Sequence, residues 1–369
     1  MMSDSIKGIY IHIPFCREIC SYCDFIKVKY DFGYVDKYLD SLENEMNLYN
    51  IECHKIESIY IGGGTPSVLS LIELTKLFRI INTAKYPNLK EFTFEINIED
   101  LNKDKLELLL NNNVNRLSIG IQSLNNDILN LLKRNYTYAD IISGFELLKK
   151  YPFKRISCDF IININNQSMT DINEILSFIN KYQIKHVSIY SLILEKGTLL
   201  YNNNYVIDEE LFYENDINES LVTNMGFEHY EVSNYALQQE YSFHNLLYWH
   251  NEHYYGFGLA ACGYLDNYRY YNTKSITKYL NQNYQKTYEY YNDNETLKNE
   301  IIMQFRLFNG INIKEINDKY SIDFTKYFRT AIIKNRKRLI IKNDFLYFSE
   351  EGKLFLNDLI IDFIMDIKE

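Results

Sequence analysis

Tyr10-Ile-His-Ile-Pro-Phe-Cys16-Arg-Glu-Ile-Cys20-Ser-Tyr-Cys23-Asp-Phe25 is the stretch on which the reading of the whole chain turns. An apolar run that reads as a strand ends in a loop with three cysteines at C-x3-C-x2-C spacing. Three thiolates on one tight loop can bind three irons of a [4Fe–4S] cube and leave the fourth iron open to an outside ligand. Zinc is the competing reading, but it asks for a fourth protein ligand in a closed site or an open position in a catalytic one. The asymmetric spacing inside Y-x-H-x-P-F-C also differs from paired C-x2-C zinc knuckles. A third reading leaves the cysteines unligated in the core.

Outward from that loop, strands are expected at 6–13, 56–61, 92–96, 116–121, 155–162 and 186–190. Helical patterning falls between or beside them at 34–48, 69–81, 103–110, 127–133, 138–149 and 171–181. This alternation predicts an α/β fold, a parallel sheet with helices outside. The residues that invite a functional reading sit at or just after strand C-terminal ends, where such sheets and barrels place their sites. Beyond residue 200 a polar, Tyr-rich crossover leads to a helix starting near Asp208, and 228–233 reads as an extra strand. Residues 240–265 are dense in aromatics and read as a lid or flank. From 295 the pattern becomes short helices, a hairpin at 339–348 and a last helix at 351–367.

The chain of 369 residues can bury one large core and has room for a small second domain. No apolar run approaches the roughly 20 residues of a membrane span. The opening MMSDSIKG lacks the pattern of a secretory signal or transit peptide, so a cytoplasmic protein is expected, free or held at the membrane by a partner. Clustering of three of the six cysteines favours metal binding over disulfides, and hence a reducing compartment. The net charge is −10, and the densest basic run, Lys334 to Arg338, reads as a solvated helix face. No nucleic-acid partner is expected.

The segments YIHIPFCREICSYCDF, IYIGGGTPS, NRLSIGIQS, VSIYSLILEKGT, YEVSNYA and HNLLYW occur in that order over nearly the whole chain. Together they resemble the radical S-adenosylmethionine (SAM) superfamily, in particular its oxygen-independent coproporphyrinogen oxidase group and the haem-chaperone branch of that group. The resemblance implies an incomplete (β/α)6 barrel over 1–235; the residue pattern adds an aromatic and histidine-rich connection over 236–294 and a small helical, winged-helix-like domain over 295–369. The resemblance also implies that Cys16, Cys20 and Cys23 hold the cluster and that the open iron takes the amino and carboxylate groups of SAM. Phe15, Tyr22 and Phe25 should shield the sulfurs. Cys53, Cys158 and Cys262 read as inert core cysteines.

Gly62-Gly-Gly-Thr65 follows a strand, where glycines permit close approach and expose backbone polar groups. By resemblance, Gly63, Gly64 and Thr65 contact the methionine end of SAM. Glu95 is a lone acid in an apolar strand, costly unless paired or bound; SAM's amino or ribose groups would pair it. Gln122, Arg134 and Asp159 match SAM-binding positions of the oxidase group. Without the resemblance they would be a core amide, a surface ion-pair partner and a strand-end cap. Tyr10 is expected against the nucleoside. The chain departs from the family at Glu95-Ile-Asn-Ile (usually E-A-N-P), at Tyr136 (usually His), at Phe160 to Gln167 (usually containing G-L-P) and at Gly256 to Gly263 (usually G-x-G-A-H-S). SAM binding is expected to survive these changes, while turnover stays an open alternative.

His244-Asn-Leu-Leu-Tyr-Trp249 matches the HNxxYW signature associated with haem in the chaperone branch. The resemblance makes His244 an iron ligand and Tyr248 and Trp249 a flat apolar wall. A lone histidine beside aromatics otherwise reads as structural. The expected function is a haem carrier serving membrane-associated respiratory proteins, with a flavodoxin- or ferredoxin-like electron donor if SAM is cleaved. Two alternatives stand beside it. One is a coproporphyrinogen III oxidase, whose tetracarboxylate substrate asks for convergent cations that the sequence does not display. The other is a structural iron–sulfur protein whose cluster staples the loop.

Overall fold

Six strands follow one another in chain order: β1 (Gly8–Ile13), β2 (Ser58–Gly63), β3 (Glu91–Ile96), β4 (Arg116–Gln122), β5 (Arg155–Ile162) and β6 (His186–Ser191). They lie side by side in that order, every neighbouring pair parallel. Between them run α1 (Phe32–Met46), α2 (Leu71–Ile81), α3 (Lys103–Asn111), α4 (Tyr138–Leu148) and α5 (Met169–Lys181). The computed structural model describes residues 6–51, 55–208 and 210–367, so Cys53 lies outside the described residues. Helices α2, α4 and α5 each begin with a reciprocal capping box, Ser70 with Glu73, Thr137 with Asp140 and Ser168 with Asp171. Each cap satisfies orphan N–H groups and stabilises its helix start by about 1 kcal/mol.

Successive strand residues point to opposite faces. On one face Ile9, Ile11, Ile59, Ile61, Phe94 and Ile119 are buried in a core shared with Leu39 and Leu42 of α1 and Leu74 and Leu77 of α2. On the other face Tyr10, Tyr60, Glu95, Ser118, Asp159 and Ser188 form a chain of polar and ring contacts. The apolar reading of these strands therefore describes the helix-covered face alone. Their second face carries the polar residues.

Past β6 the sheet continues with two antiparallel strands, β7 (Glu228–Glu231) and β8 (Asn234–Ala236). At the other edge β9 (Tyr254–Phe257) lies parallel to β1, and β10 (Cys262–Leu265), β11 (Tyr268–Tyr271) and β12 (Thr287–Tyr290) extend it antiparallel. Residues within 236–294 thus supply four strands flanking β1. The twelve strands form one linear order with two free ends, as an incomplete barrel requires. Within β9, Gly256 permits the close approach of β10, since a Cβ there would lie 1.9 Å from the Cys262 carbonyl oxygen. The helix expected near Asp208 begins instead at Glu214. Backbone N–H groups of Asp208 and Tyr213 are held by the side chains of Asn165 and Asn163, just beyond the end of β5.

Helix α6 (Phe243–Trp249) precedes β9, and α7 (Asp293–Gln304) opens the C-terminal part. There β13 (Ile311–Asn312) pairs with a hairpin of β14 (Leu339–Lys342) and β15 (Phe345–Phe348), and α8 (Leu356–Asp366) closes the chain. Ile301, Phe305, Phe328, Leu346 and Phe363 form a core separate from that of the main sheet. The hairpin turns through Asn343 and Asp344, both at positive φ, matching the right-handed twist of its strands. Backbone bonds from Val232 to Arg306 and from Phe308 to Tyr230 tie this part to β7. No helix among the described residues is long and apolar enough to cross a membrane.

Candidate functional site

Pro14 ends β1 and turns the chain into the cysteine loop. Phe15–Cys16 pairs in parallel with Val28–Lys29, so the loop departs and returns at one place. Its middle is fastened by Ser21, whose Oγ donates to Leu131 O at 2.7 Å and whose N donates to Leu132 O at 3.2 Å. Arg17 pairs with Asp100 at 2.8 Å. His12 steadies the return strand, with Nε2 3.0 Å from Ile26 O and Nδ1 3.0 Å from Tyr10 Oη. A loop already held this way loses little further freedom when a ligand arrives.

Cys16 is buried, and burial pushes its thiol up to about 11, with Cys23 and Cys20 adding to the rise. Thr65 Oγ1 donates to Cys16 Sγ at 3.5 Å, and Arg134 Nη1 to Cys20 Sγ at 3.1 Å. A bound cation would favour the thiolates that burial disfavours. Among the described residues no three His, Cys, Asp or Glu side chains gather tightly enough to share a single metal ion. An iron–sulfur cube takes one thiolate per corner, so three thiols spread along one pinned loop suit it. Of the expected shielding rings, Phe15 is fully buried and Tyr22 partly so, whereas Phe25 is 64% exposed.

The glycine run lies against this loop, with Gly64 N donating to Ile13 O at 2.9 Å and Thr65 N to Phe15 O at 2.8 Å. A Cβ on Gly64 would lie 2.7 Å from the Pro14 carbonyl carbon. Gly63 has φ +116°, and a Cβ there would meet the His12 ring at 2.6 Å. Gly63→Ala is therefore expected to destabilise the protein by about 1–3 kcal/mol, through backbone strain and displacement of His12. Denaturant unfolding of the apoprotein measures this, and an unchanged midpoint would mean that the loop relaxes freely.

Glu95 stands on the polar face, where Tyr60 Oη donates to Oε1 at 2.7 Å and Gly63 N to Oε2 at 3.1 Å. Desolvation pushes its carboxyl up to about 7, and the charge of Asp159 adds to the rise. Asp159 accepts from Ser118 Oγ at 3.1 Å and is itself raised by burial. The hydrogen-bond partners of these acids are hydroxyls and one backbone N–H, which leaves negative charge for a cationic group on a ligand. Tyr10 borders the same space, its ring 6.1 Å from that of Tyr60.

Gln122 ends β4 at a register shift, with φ +67° and 8% exposure. Strained backbone of this kind persists where the surroundings enforce it, often at ligand sites. Arg134 spans from β4 to the cysteine loop. Its Nη2 donates to Gly120 O at 2.7 Å and Asn97 Oδ1 at 3.2 Å, and its Nε to Tyr136 Oη at 2.7 Å. Tyr136, at the position expected to be histidine, donates in turn to Gly120 O at 2.7 Å. Cys20, Thr65, Asn97 and Arg134 line one cavity.

The HNLLYW segment is placed differently. Glu91 accepts from Phe243 N at 3.1 Å and His244 N at 3.0 Å, which anchors the start of α6. His244 is 1% exposed, with Nδ1 2.8 Å from Ser58 Oγ and Nε2 2.9 Å from Tyr248 Oη. Burial lowers its pKa to about 3, so the ring is neutral. Ser58 and Glu91 begin their strands, while the cysteines follow the end of β1. The two motifs therefore stand towards opposite ends of the sheet, linked through the Tyr60 ring, 5.1 Å from His244. Trp249 lies beside Glu231, whose carboxyl burial raises to about 7. Cys158 is buried, and Cys262 accepts a long contact of 3.8 Å from Tyr254 Oη.

Tyr60, Asn97, Ser118 and Ser188 join the site although the sequence reading passed over them. Their signal was period-two alternation, polar between apolar, in Ile59-Tyr60-Ile61 and Leu117-Ser118-Ile119.

The family model described as the radical SAM superfamily matches residues 10–179. The chain is 34% identical to the haem chaperone HemW of Lactococcus lactis, with 98% of each chain covered. It is 32% identical to the HemW of Bacillus subtilis, covering 98% of this chain and 100% of that one. Among solved structures, coproporphyrinogen III oxidase (HemN) from Escherichia coli, a radical SAM enzyme, matches with a TM-score of 0.83. That match covers 98% of this chain and 90% of HemN at 17% identity, a likeness of fold.

Proposed function

Since this chain belongs to the HemW family within the radical SAM superfamily, we propose that it is a haem chaperone, binding haem and passing it to haem-requiring proteins. The observation that carries this reading is the extent of the likeness to named chaperones, which covers 98% of the chain and so includes HNLLYW and the C-terminal part. Cys16, Cys20 and Cys23 would hold a [4Fe–4S] cluster. Gly63, Gly64 and Thr65 would offer backbone groups to the methionine end of SAM, and Glu95 would accept from its amino group. Tyr10, Gln122 and Asp159 would border the nucleoside. Arg134 would position the loop through Cys20, with Asn97 and Tyr136 holding its guanidinium. When bound, the cluster and SAM supply one-electron chemistry, fed by a flavodoxin- or ferredoxin-like donor. Delivery would take place on the cytoplasmic side, with a membrane-associated respiratory protein as acceptor. The division into a barrel over 1–235, a connection over 236–294 and a C-terminal domain over 295–369 belongs to the same proposal.

The test uses full-length protein reconstituted without oxygen and titrated with haem while the Soret band is followed. Parallel samples receive coproporphyrinogen III, SAM and reductant. Saturable haem binding without porphyrinogen decarboxylation supports the carrier, and decarboxylation with SAM consumption overturns it.

His244 is proposed as the haem-linked residue, with Tyr248 and Trp249 as the adjoining wall. Its Nε2 is held by Tyr248, so ligation of iron requires that bond to open. Tyr248→Phe should accordingly strengthen haem binding by about fivefold, and His244→Ala should weaken it by about tenfold or more. A purely structural His244 predicts the opposite pattern, a lower melting temperature for His244→Ala with unaltered Soret titrations in both variants.

A further inference from the structure

A cavity of about 120 Å³ opens among the N-terminal ends of β4, β5 and β6. Its lining includes Arg116, Lys154, Arg155, Lys185, His186 and Glu240. Arg116 is 1% exposed. Its Nη1 lies 3.5 and 3.4 Å from the carbonyl oxygens of Glu240 and Tyr241 and 3.6 Å from the Glu91 carboxylate. Its Nη2 is buried with no hydrogen-bond partner among the described residues. A guanidinium nitrogen taken out of water without an acceptor is costly, and such a cost persists where a ligand or ordered water repays it.

The charges around the cavity do not cancel. Arg155 is engaged by Glu240 at 2.8 Å and by Glu91 at 3.7 Å. Lys154 and Lys185 are exposed at the rim, and Lys185 Nζ donates to the neutral amide of Gln238 at 3.0 Å. His186 adds no charge. Burial and the charge of Arg116 hold its pKa well below the usual value, and its nitrogens lie 2.7 Å from Ser157 Oγ and 2.8 Å from Tyr230 Oη. Four cations thus face two carboxylates. The volume equals the share of about four liquid waters, enough for one carboxylate or phosphate group.

We propose that this cavity binds an oxyanion group, with Arg116 beneath it and Lys154 and Lys185 at the rim. The carbonyls that Arg116 touches belong to Glu240 and Tyr241, and Tyr241 immediately precedes Ser242, the cap of α6. The group can therefore come from a propionate of haem seated at α6, which rests on the chaperone reading, or from a free small anion.

The experiment measures thermal stabilisation of full-length protein by sodium phosphate against sodium chloride at matched ionic strength. The comparison is with a Lys154→Gln, Lys185→Gln double variant, because substitution of Arg116 would strand Glu91 and endanger folding. Phosphate is expected to raise the melting temperature of the unaltered protein more than chloride does, with an apparent affinity about tenfold weaker in the double variant. Equal responses to the two salts, or an undiminished phosphate response in the variant, would overturn the site and leave water as its occupant. Haem and haem dimethyl ester then separate the sources. A preference for haem that disappears in the double variant identifies a propionate. Equal affinity for both, with the phosphate effect intact, identifies a free anion. Absence of any haem binding would sink the chaperone reading while the phosphate comparison still judged the site.

Discussion

Cys16→Ala protein reconstituted without oxygen is expected to retain almost none of the iron and sulfide of the unaltered chain, which should take up about four of each. Two remaining thiols would anchor two corners of a cube and leave two open to solvent. Cys16 also has a geometric part in the site: its carbonyl accepts from Tyr30 N at 2.8 Å, and its sulfur faces Thr65. SAM binding should fall by about a hundredfold, since the iron that would chelate it is lost with the cluster. The fold should persist, because Ser21 and Arg17 fasten the loop independently. Iron and sulfide analysis, SAM dialysis and circular dichroism read the three parts separately. Uptake of one zinc with no sulfide by the unaltered protein would sink the cluster assignment.

Glu95→Gln is expected to weaken SAM binding by about ten- to a hundredfold and to remove most of its pH dependence. With its carboxyl pushed up to about 7, Glu95 is mostly protonated at pH 6 and mostly ionised at pH 8. A ligand amino group that is bound to iron and donates its N–H is held more strongly by the ionised carboxylate, so affinity should rise across that interval and level off above it. The ligand-free protein should behave in the reverse sense. A carboxyl raised in the folded state contributes stability below its unfolded value of roughly 4.3 and loses that contribution as the pH climbs through its folded value. Glu231, also raised to about 7, acts with the same sign, so the variant should lessen the decline without abolishing it. Calorimetry at pH 6, 7 and 8 provides the check. Affinity that falls with pH, or glutamine binding as well as glutamate, would move the Glu95 contact from the amino group to a ribose hydroxyl.

Much of this was legible before any coordinates, for identifiable reasons. The cysteine loop, the glycine run and the strand–helix alternation belong to contiguous residues. The boundaries of β3, β5 and β6 could be read from apolar runs between turn residues. Other relations could not be read locally. Arg134 resembles a ligand-binding position, yet its guanidinium reaches Cys20, 114 residues away in the chain. The aromatic stretch around Tyr254 offers no local sign that it will lie parallel to β1.

By itself, then, the sequence determined the three-cysteine loop, the class of fold and part of the set of polar residues on the strands, since spacing and periodicity are local properties. Only the tertiary structure decided how those residues are grouped. It set Glu95 with Tyr60, Asp159 with Ser118, and His244 between Ser58 and Tyr248, far from the cysteines along the strands. It also left one nitrogen of Arg116 without a partner among the described residues. The reason is physical. Which side chains meet across a sheet depends on strand order and register, and these are settled by packing of the whole core rather than by any one stretch of chain.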